Sequence, residues 1–328
     1  MKKIKQSDLN PFPFSDSNKR YHTYDYYLRR TFGSKCRKIP LDCGFTCPNR
    51  DGTRGVGGCA FCSARGSGDF AASATLGIRE QYEQVRESLS SKWDDSAKNI
   101  PYFQAFTGTY APISALREKY EAALSLPNVA ALAIATRADC LEDELLIYLE
   151  ELSLRVPIIL ELGLQSIHDT TAEKMNRGHS FAEFIDGYTR VRKLAPSVQV
   201  CIHLIFGLPG EDKSMMLDSV REVASLRPDQ VKLHLLHVLR DTKLCDMFDA
   251  GEFKALTLEE YADITVSALE LIPPETVICR ITGDGMPSEL VAPDWSRKKF
   301  VVMNTIDKLL FERSTYQGRL FAPSDDEI

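Results

Sequence analysis

The chain has 328 residues, of which 44% are hydrophobic and 26% are charged, and its formal net charge is −6. This length allows one large core, built either as a single α/β barrel or as two smaller domains. The acidic balance argues against a dedicated nucleic-acid binder, and no apolar run approaches the length of a membrane span. The amino-terminal residues lack the apolar segment of a secretory signal, so we expect a cytoplasmic protein without membrane association.

The predicted elements begin after a segment rich in Pro, Ser and Asn over residues 1–20, which we expect to be a flexible arm. Short apolar runs then alternate with longer amphipathic stretches. The apolar runs predict strands at Lys38–Asp42, Tyr102–Phe106, Val129–Ala135, Ile158–Leu164, Val198–Phe206 and Gln230–His237. The amphipathic stretches predict helices at Arg79–Ser91, Ile113–Ser125, Glu142–Leu152, Phe181–Leu194 and Ser214–Leu226. Six strands alternating with helices predict parallel βαβ units and a partial (β/α)6 TIM-like barrel over residues 21–240.

Residues 241–328 break this rhythm and predict an α+β extension that shapes the substrate pocket. Within it we expect a helix at Thr257–Leu271, a strand at Val277–Thr282 and a second helix at Arg297–Phe311.

Ligands bind at the carboxyl ends of the strands in such parallel sheets. Each of the six predicted strands is followed by a polar, glycine-rich or charged segment: a cysteine-rich loop, "TGTYAP", "TRAD", "LQS", "GLPGE" and "LHVLRDT". The convergence of these six segments at one end of a sheet predicts a single site there.

The cysteine-rich loop carries the most specific signal. Cys47, Cys59 and Cys62 lie within sixteen residues, and the chain has nine cysteines in all. An odd number of cysteines in a reducing compartment favours metal ligation over a disulfide framework. Three thiolates are one short of a closed tetrahedral zinc site. On a [4Fe–4S] cluster, which usually has four cysteine ligands, three would leave one iron open to another molecule.

A four-cysteine structural zinc site is the main alternative. Cys43 extends the set to the spacing C-x3-C-x11-C-x2-C, and spacing alone leaves both interpretations open. Two observations favour the three-cysteine cluster. First, Cys43 lies at a predicted strand end, outside the glycine-rich loop. Second, five other strands end in segments that look functional and are expected to surround that loop, and a structural zinc site does not need such surroundings.

The loop "CPNRDGTRGVGGCAFC" resembles the cluster loop of the YhcC/YtqA-like branch of the radical S-adenosylmethionine (SAM) superfamily, a branch similar to the radical SAM domain of the Elongator subunit Elp3. The resemblance extends to "HTYDYYLRRTFG", "FQAFTGTYAP", "ELGLQS", "MNRGH", "HLIFGLPGE", "KLHLLHVLRDTKL" and "TGDG". It implies a cluster loop at residues 44–70, with Cys47, Cys59 and Cys62 as ligands of a [4Fe–4S] cluster whose open iron binds SAM.

The resemblance also implies which residues contact SAM. Phe61 is expected near the adenine, and Arg177 is expected to hold the SAM carboxylate in a two-pronged grip. The full set of expected SAM contacts is Phe61, Thr107, Gly108, Thr109, Gln165, Ser166, Arg177, Ile205, Gly207 and His237.

The implied activity is the reductive cleavage of SAM to a 5′-deoxyadenosyl radical, with one electron from a donor such as flavodoxin or ferredoxin. The similarity to Elp3 implies a role in tRNA wobble-uridine modification, by processing a substituent at position 5. Basic residues concentrated at 29–65 fit such a substrate, although a solvated surface explains them as well. Two alternatives stay open: a radical SAM enzyme acting on a small molecule or protein, and a non-catalytic binding protein stapled by a four-cysteine metal site.

Overall fold

We describe the protein from a computed structural model, which covers residues 10–66, 68–89, 96–283 and 285–322. Its helices are α1 (Tyr24–Phe32), α2 (Ile78–Leu89), α3 (Ile113–Leu124), α4 (Asp143–Ser153), α5 (Asp169–Lys174), α6 (Phe181–Leu194), α7 (Lys213–Ser225), α8 (Lys243–Asp249), α9 (Leu258–Leu271) and α10 (Lys299–Glu312). Its strands are β1 (Cys36–Leu41), β2 (Lys98–Phe103), β3 (Leu132–Thr136), β4 (Ile158–Gln165), β5 (Gln199–Phe206), β6 (Gln230–Leu235), β7 (Val238–Leu239), β8 (Val277–Arg280) and β9 (Leu290–Ala292).

Seven strands form one sheet in the order β1-β2-β3-β4-β5-β6-β8, and β7 pairs with β9 in a separate antiparallel ribbon. The β1–β2, β2–β3, β3–β4 and β6–β8 pairs are parallel. Strands that are neighbours in sequence and in the sheet are the signature of a singly wound α/β barrel. The predicted fold class, a partial TIM-like barrel, is therefore confirmed. The sheet also gains a seventh strand, β8, which the sequence analysis assigned to the carboxyl-terminal extension.

The described residues divide into two compact units. The first unit contains residues 28–164 and 172–201, and the second contains residues 10–27, 165–171 and 202–322. Because the cysteine-rich loop, Thr107–Thr109 and Arg177 all belong to the first unit, their mutual geometry is set within it. Gln165, Ser166, Ile205, Gly207 and His237 belong to the second.

The first unit is built around β1–β4. Ile39 and Leu41 of β1 are fully buried, and α2 packs against this strand. Arg37, which precedes them in the same strand, is also buried and donates a 2.9 Å hydrogen bond from Nε to the side chain of Asn99 in β2. Lys38 extends from the same strand to the fully buried carboxylate of Glu161. The basic residues at 29–65 are therefore not one continuous solvated surface, because two of them are tied into the core.

The second unit contains the helices α7, α9 and α10, of which α9 packs against both others. A capping box between Thr257 and Glu260 starts α9, as the residue pattern Thr-x-x-Glu predicts. The fully buried Tyr261 anchors this helix by donating a 2.9 Å hydrogen bond to the carbonyl oxygen of Ile281. In the amino-terminal segment of this unit, the carbonyl oxygen of His22 accepts a 2.8 Å hydrogen bond from Ile278 in β8.

The helix and strand bounds differ from prediction in a few places. The sequence analysis did not predict α1, and β2 begins at Lys98 rather than Tyr102. The polar residue Asn99 lies inside this strand because its side chain donates to the hydroxyl of Tyr82 at 2.9 Å and to a backbone carbonyl. The predicted helix end at Ser91 falls outside the described residues. Among the described helices, none has the length and apolar character needed to cross a membrane.

Candidate functional site

The cysteine loop, residues 47–62, follows β1 and folds by short backbone hydrogen bonds. The amide of Arg50 donates to the carbonyl of Cys47 at 2.8 Å, and the amide of Cys62 donates to that of Cys59 at 2.9 Å. Cys59 is buried, whereas Cys47 and Cys62 are half-buried. All three thiols are free of disulfides, so the loop presents three sulfur atoms that are able to serve as ligands.

A second segment, Met175–Gly178, holds this loop in place, and we call it the clamp segment. The amide of Ala60 donates to the carbonyl of Met175 at 2.9 Å. The side-chain amide of Asn176 donates to the carbonyl oxygens of Gly58 and Val56 at 2.7 and 3.1 Å. In return, the side-chain amide of Asn49 donates to the carbonyl of Asn176. The loop conformation therefore depends on residues more than a hundred positions away in the chain.

Gly178 is required where the clamp segment meets the loop. Its φ of +68° lies in the left-handed region, and a Cβ added there would stand 2.5 Å from Oδ1 of Asn49. A side chain at this position would meet both backbone strain and a steric clash. The sequence analysis included this glycine only as part of "MNRGH" and gave it no role.

Arg177 reaches a cysteine of the loop directly. Its guanidinium is buried and donates from Nη1 to the sulfur of Cys59 at 3.2 Å. Nη2 donates to the carbonyl of Gly163 and lies 3.2 Å from Nε2 of His179. The guanidinium carbon lies 5.9 Å from the ring centre of Phe61, the residue of the cysteine loop that is expected near SAM. Nε of Arg177 is buried without a hydrogen-bond partner.

A second buried guanidinium, that of Arg137, supports the clamp segment. It donates to the carbonyl of Arg177 at 2.7 Å and pairs with both carboxylate oxygens of Asp139 at 2.9 and 2.8 Å. Burial opposes the charge of Asp139, but the hydrogen bonds and charge of Arg137 outweigh it and lower the pKa of this carboxyl. The sulfur of Cys47 interacts electrostatically with Arg137. The buried cation beside Cys59, Arg177, is therefore held in place by a second arginine that is itself paired with Asp139.

His179 is neutral in this environment. Burial, followed by the charges of Arg177 and Arg137, lowers its pKa to about 3. Its Nδ1 lies 3.4 Å from the carbonyl oxygen of Ser180, so hydrogen bonding favours a proton on Nδ1 and an acceptor at Nε2. The neutral ring is thus able to accept a hydrogen bond from the guanidinium of Arg177.

Cys43 has different surroundings from the cysteines of the loop. Burial and the neighbouring Asp42 raise the pKa of its thiol, and its electrostatic partners include Lys119 and Tyr120 of α3. Cys47 instead interacts with Arg137 and with the buried Cys140.

The segment Thr107–Thr109 follows β2, as predicted. Gly108 approaches β3 so closely that an added Cβ would lie 2.8 Å from the carbonyl oxygen of Ala135. The hydroxyl of Thr109 contacts that of Thr136 at 2.5 Å and donates to the carbonyl of Cys140 at 2.7 Å. These contacts fix the turn in place, and the hydroxyl of Thr109 serves this packing.

In the second unit, Gln165 and Ser166 follow β4. Gln165 has a φ of +77°, and its Oε1 is buried without a hydrogen-bond partner. The hydroxyl of Ser166 donates to Glu211, whose pKa is raised because burial outweighs its hydrogen bonds. The sequence analysis quoted Glu211 within "GLPGE" and did not single it out, since its contact with Ser166 spans 45 residues.

The remaining expected SAM contacts also lie in the second unit. Ile205 and Gly207 are half-buried, and Gly207 has a φ of +93° with Leu256 at 3.1 Å from the position of an added Cβ. His237 lies against Gly283 and Gly285, whose lack of side chains makes room for its ring.

The donor set fits an iron–sulfur cluster. Three free thiols occupy one loop, and the buried guanidinium of Arg177 offsets part of the negative charge that three thiolates and a cluster would bring. A hydrogen bond to a ligand sulfur is also typical of the surroundings of protein iron–sulfur clusters. The unpartnered Nε of Arg177 is a polar atom of the first unit that a bound ligand could satisfy.

Comparison with known proteins gives a consistent family. The family model for the radical SAM superfamily matches residues 47–223, and the Radical_SAM C-terminal domain matches residues 228–312. The protein YtqA of Bacillus subtilis is 45% identical over 97% of this chain and 98% of its own length. The protein YhcC of Escherichia coli is 36% identical over 90% of this chain and 94% of its own length.

Two further relatives are named after tRNA modification or the Elongator complex. A tRNA uridine(34) acetyltransferase of Methanocaldococcus jannaschii is 34% identical over 47% of this chain and 28% of its own length. The solved structure of the archaeal Methanocaldococcus infernus Elp3 superimposes with a TM-score of 0.63 at 19% identity, covering 87% of this chain and 64% of that one. This structural likeness supports the fold.

Proposed function

The chain belongs to the radical SAM superfamily, and from that premise we propose that it is a radical SAM enzyme that modifies tRNA at the wobble uridine by processing a substituent at position 5. Enzymes of this class use a [4Fe–4S] cluster, SAM and a one-electron reductant. When bound, the cluster and SAM supply a 5′-deoxyadenosyl radical after one-electron reduction.

The observation that carries the proposal is the clamped cysteine loop. In our proposal Cys47, Cys59 and Cys62 hold the cluster, while the contacts of Asn176 keep the loop closed around them. Burial of Cys59 limits access of water and oxygen to this side of the site. Arg177 donates a hydrogen bond to the sulfur of Cys59, and Arg137 supports it by donating to the backbone carbonyl of Arg177.

The substrate part of the proposal is supported by the relatives. The similarity to a tRNA uridine(34) acetyltransferase extends over 158 residues, which is about half of this chain. Shared cofactor machinery does not by itself specify a shared substrate, because one fold hosts many reactions. The tRNA assignment therefore needs its own experiment.

The first experiment tests the cluster and SAM cleavage. After anaerobic reconstitution, we expect about four irons per chain and reductive cleavage of SAM. Cys47→Ala should abolish both, and the matched variant Cys43→Ala should retain both. Stoichiometric zinc that requires all four cysteines would instead support the metal-stapled binding protein.

The second experiment tests the substrate. Nucleosides from total tRNA are compared by mass spectrometry between wild-type cells, deletion cells, and deletion cells that express either the wild-type chain or Cys47→Ala. We expect one modified wobble uridine to change in the deletion and to be restored only by the wild-type chain. An unchanged nucleoside profile would exclude the tRNA role and favour a small-molecule or protein substrate.

A further inference from the structure

The guanidinium of Arg177 has a specific set of hydrogen-bond partners that bears on its role. Nη1 donates to the sulfur of Cys59 at 3.2 Å. One hydrogen of Nη2 goes to the carbonyl oxygen of Gly163, and the other points to Nε2 of His179 at 3.2 Å. The side chain is buried and remote from bulk water, so these contacts are not readily exchanged for solvent.

These contacts leave little room for a two-pronged grip on a carboxylate. A guanidinium grips a carboxylate either end-on, through Nη1 and Nη2, or side-on, through Nε and Nη2. Both arrangements need a hydrogen of Nη2, and both hydrogens of Nη2 already have acceptors. The ring of His179 is able to accept because hydrogen bonding to the carbonyl of Ser180 favours its proton on Nδ1. Only Nε and one hydrogen of Nη1 stay available.

We infer that Arg177 is a positioning residue for the cluster, which donates a charge-assisted hydrogen bond to the ligand sulfur of Cys59 and raises the reduction potential of the cluster, rather than a clamp for the SAM carboxylate. This inference rests on the proposed function, because it requires that Cys59 ligates a cluster. The physical reason is electrostatic. A cation that donates to a ligand sulfur stabilises the reduced cluster, which carries one more negative charge, more than the oxidised cluster.

The surroundings of Arg177 fix this geometry from both sides. Its own carbonyl accepts a 2.7 Å hydrogen bond from Arg137, which in turn is held by Asp139. A weaker donor, the side-chain amide of Asn49, lies 3.7 Å from the same sulfur. Cys59 thus accepts from the side chains of both Arg177 and Asn49. These contacts predict that substitutions near Cys59 affect the potential.

The test measures two quantities on the reconstituted protein: the midpoint potential of the cluster, from a redox titration followed by electron paramagnetic resonance, and the dissociation constant for SAM. We expect Arg177→Gln to lower the midpoint potential and to change SAM affinity by less than about threefold. Arg177→Lys keeps the positive charge but loses the planar guanidinium group, so it should shift the midpoint potential by less. Arg155→Gln removes an exposed arginine outside the cysteine loop that is paired with Glu121, and it should leave the potential unchanged.

A role of Arg177 in holding the SAM carboxylate predicts a different result. If Arg177 holds the SAM carboxylate, Arg177→Gln should weaken SAM binding by about 100-fold, the loss expected for a charged two-pronged contact, while the potential stays unchanged. That outcome would overturn the inference. Absence of a cluster in the wild-type protein would instead overturn the proposed function itself.

A measurement on the unaltered sequence covers the case in which the variants fail to hold iron. Protein labelled with ¹⁵N only in the guanidinium groups of arginine is reconstituted and reduced without SAM. Pulsed electron paramagnetic resonance should detect a ¹⁵N coupling to the cluster from the donor to Cys59. A spectrum without such a coupling contradicts the hydrogen bond that we infer.

Discussion

The side-chain amide of Asn176 donates a 2.7 Å hydrogen bond to the carbonyl oxygen of Gly58, which lies 118 residues earlier in the chain. Gly58 immediately precedes Cys59, so this bond fixes the backbone at the start of the C-x-x-C pair. The same amide also reaches Val56. The geometry of the cysteines is therefore set by a residue outside their own loop.

A substitution in the clamp segment tests this dependence. Gly178→Ala should lower the free energy of unfolding by about 3 kcal/mol, because it adds strain at a φ of +68° and a clash with Asn49. Gly52→Ala is the matched control, since Gly52 has a φ of +92° with no atom near an added Cβ and should cost only about 1 kcal/mol. Urea unfolding of the reduced apoprotein measures both, and equal losses would show that the contact with Asn49 does not matter.

Replacing Gly187 in α6 by alanine should destabilise the protein, whereas the same substitution stabilises most helices. Glycine to alanine inside a helix usually stabilises by about 1 kcal/mol. An added Cβ at Gly187 would lie 2.2 Å from the backbone oxygen of Ala138, so we expect Gly187→Ala to destabilise by at least about 2 kcal/mol. Asp186→Ala, at the exposed neighbouring position, should have little effect. Thermal unfolding compares the two variants, and a more stable Gly187→Ala would contradict the close packing of α6.

The lowered pKa of His179 predicts a pH dependence of stability. Its folded pKa of about 3 lies below the ordinary value of 6.5, so the unfolded chain binds more protons between these values. The stability that comes from burying neutral His179 is therefore fully present above pH 6.5 and is lost as the pH falls towards 3, by up to about 1.4 kcal/mol per pH unit. His179→Gln should lack this pH-dependent loss of stability. If the free energy of unfolding changes with pH in the same way for the wild-type protein and for His179→Gln, the prediction is wrong.

Glu211 should change the stability in the opposite direction as the pH varies. Burial raises its pKa, so the folded chain holds this proton to higher pH than the unfolded chain does. Between pH 4.5 and neutrality, the ionised carboxylate therefore reduces stability, and Glu211→Gln should become stabilising relative to wild type as the pH rises. Glu252→Gln, at an exposed position, should show no such trend. Denaturant unfolding at a series of pH values measures the difference.

Much of the fold could be predicted from the sequence because the strands are apolar runs with clear ends. Ile158–Leu164 was predicted as a strand and β4 covers Ile158–Gln165, since every side chain from Ile158 to Leu164 is buried. The helix α1 was not predicted, because its sequence YDYYLRRTF is polar and aromatic and buries only Leu28. The strands β7 and β9 contain two and three residues, which is too short for any periodicity to be visible.

The cysteines of the candidate site could be singled out from the sequence, whereas the residues that support their loop could not. Three closely spaced cysteines in a glycine-rich loop indicate a metal site from sequence alone. The partnership of Asn49 with Asn176, and that of Ser166 with Glu211, arises only when distant segments meet in the fold. Isolated Asn and Glu residues carry no pattern by which their partners could be found.

The clamp segment also sets an order of events during synthesis. At ordinary rates of translation, the ribosome needs on the order of ten seconds to add the residues between Cys62 and Gly178. Throughout that interval Asn176 does not yet exist, and the nascent cysteine loop lacks the hydrogen bonds that close it. Three adjacent thiols are then open to oxidation. Iron insertion into a correctly shaped loop can begin only after more than half of the polypeptide has been made.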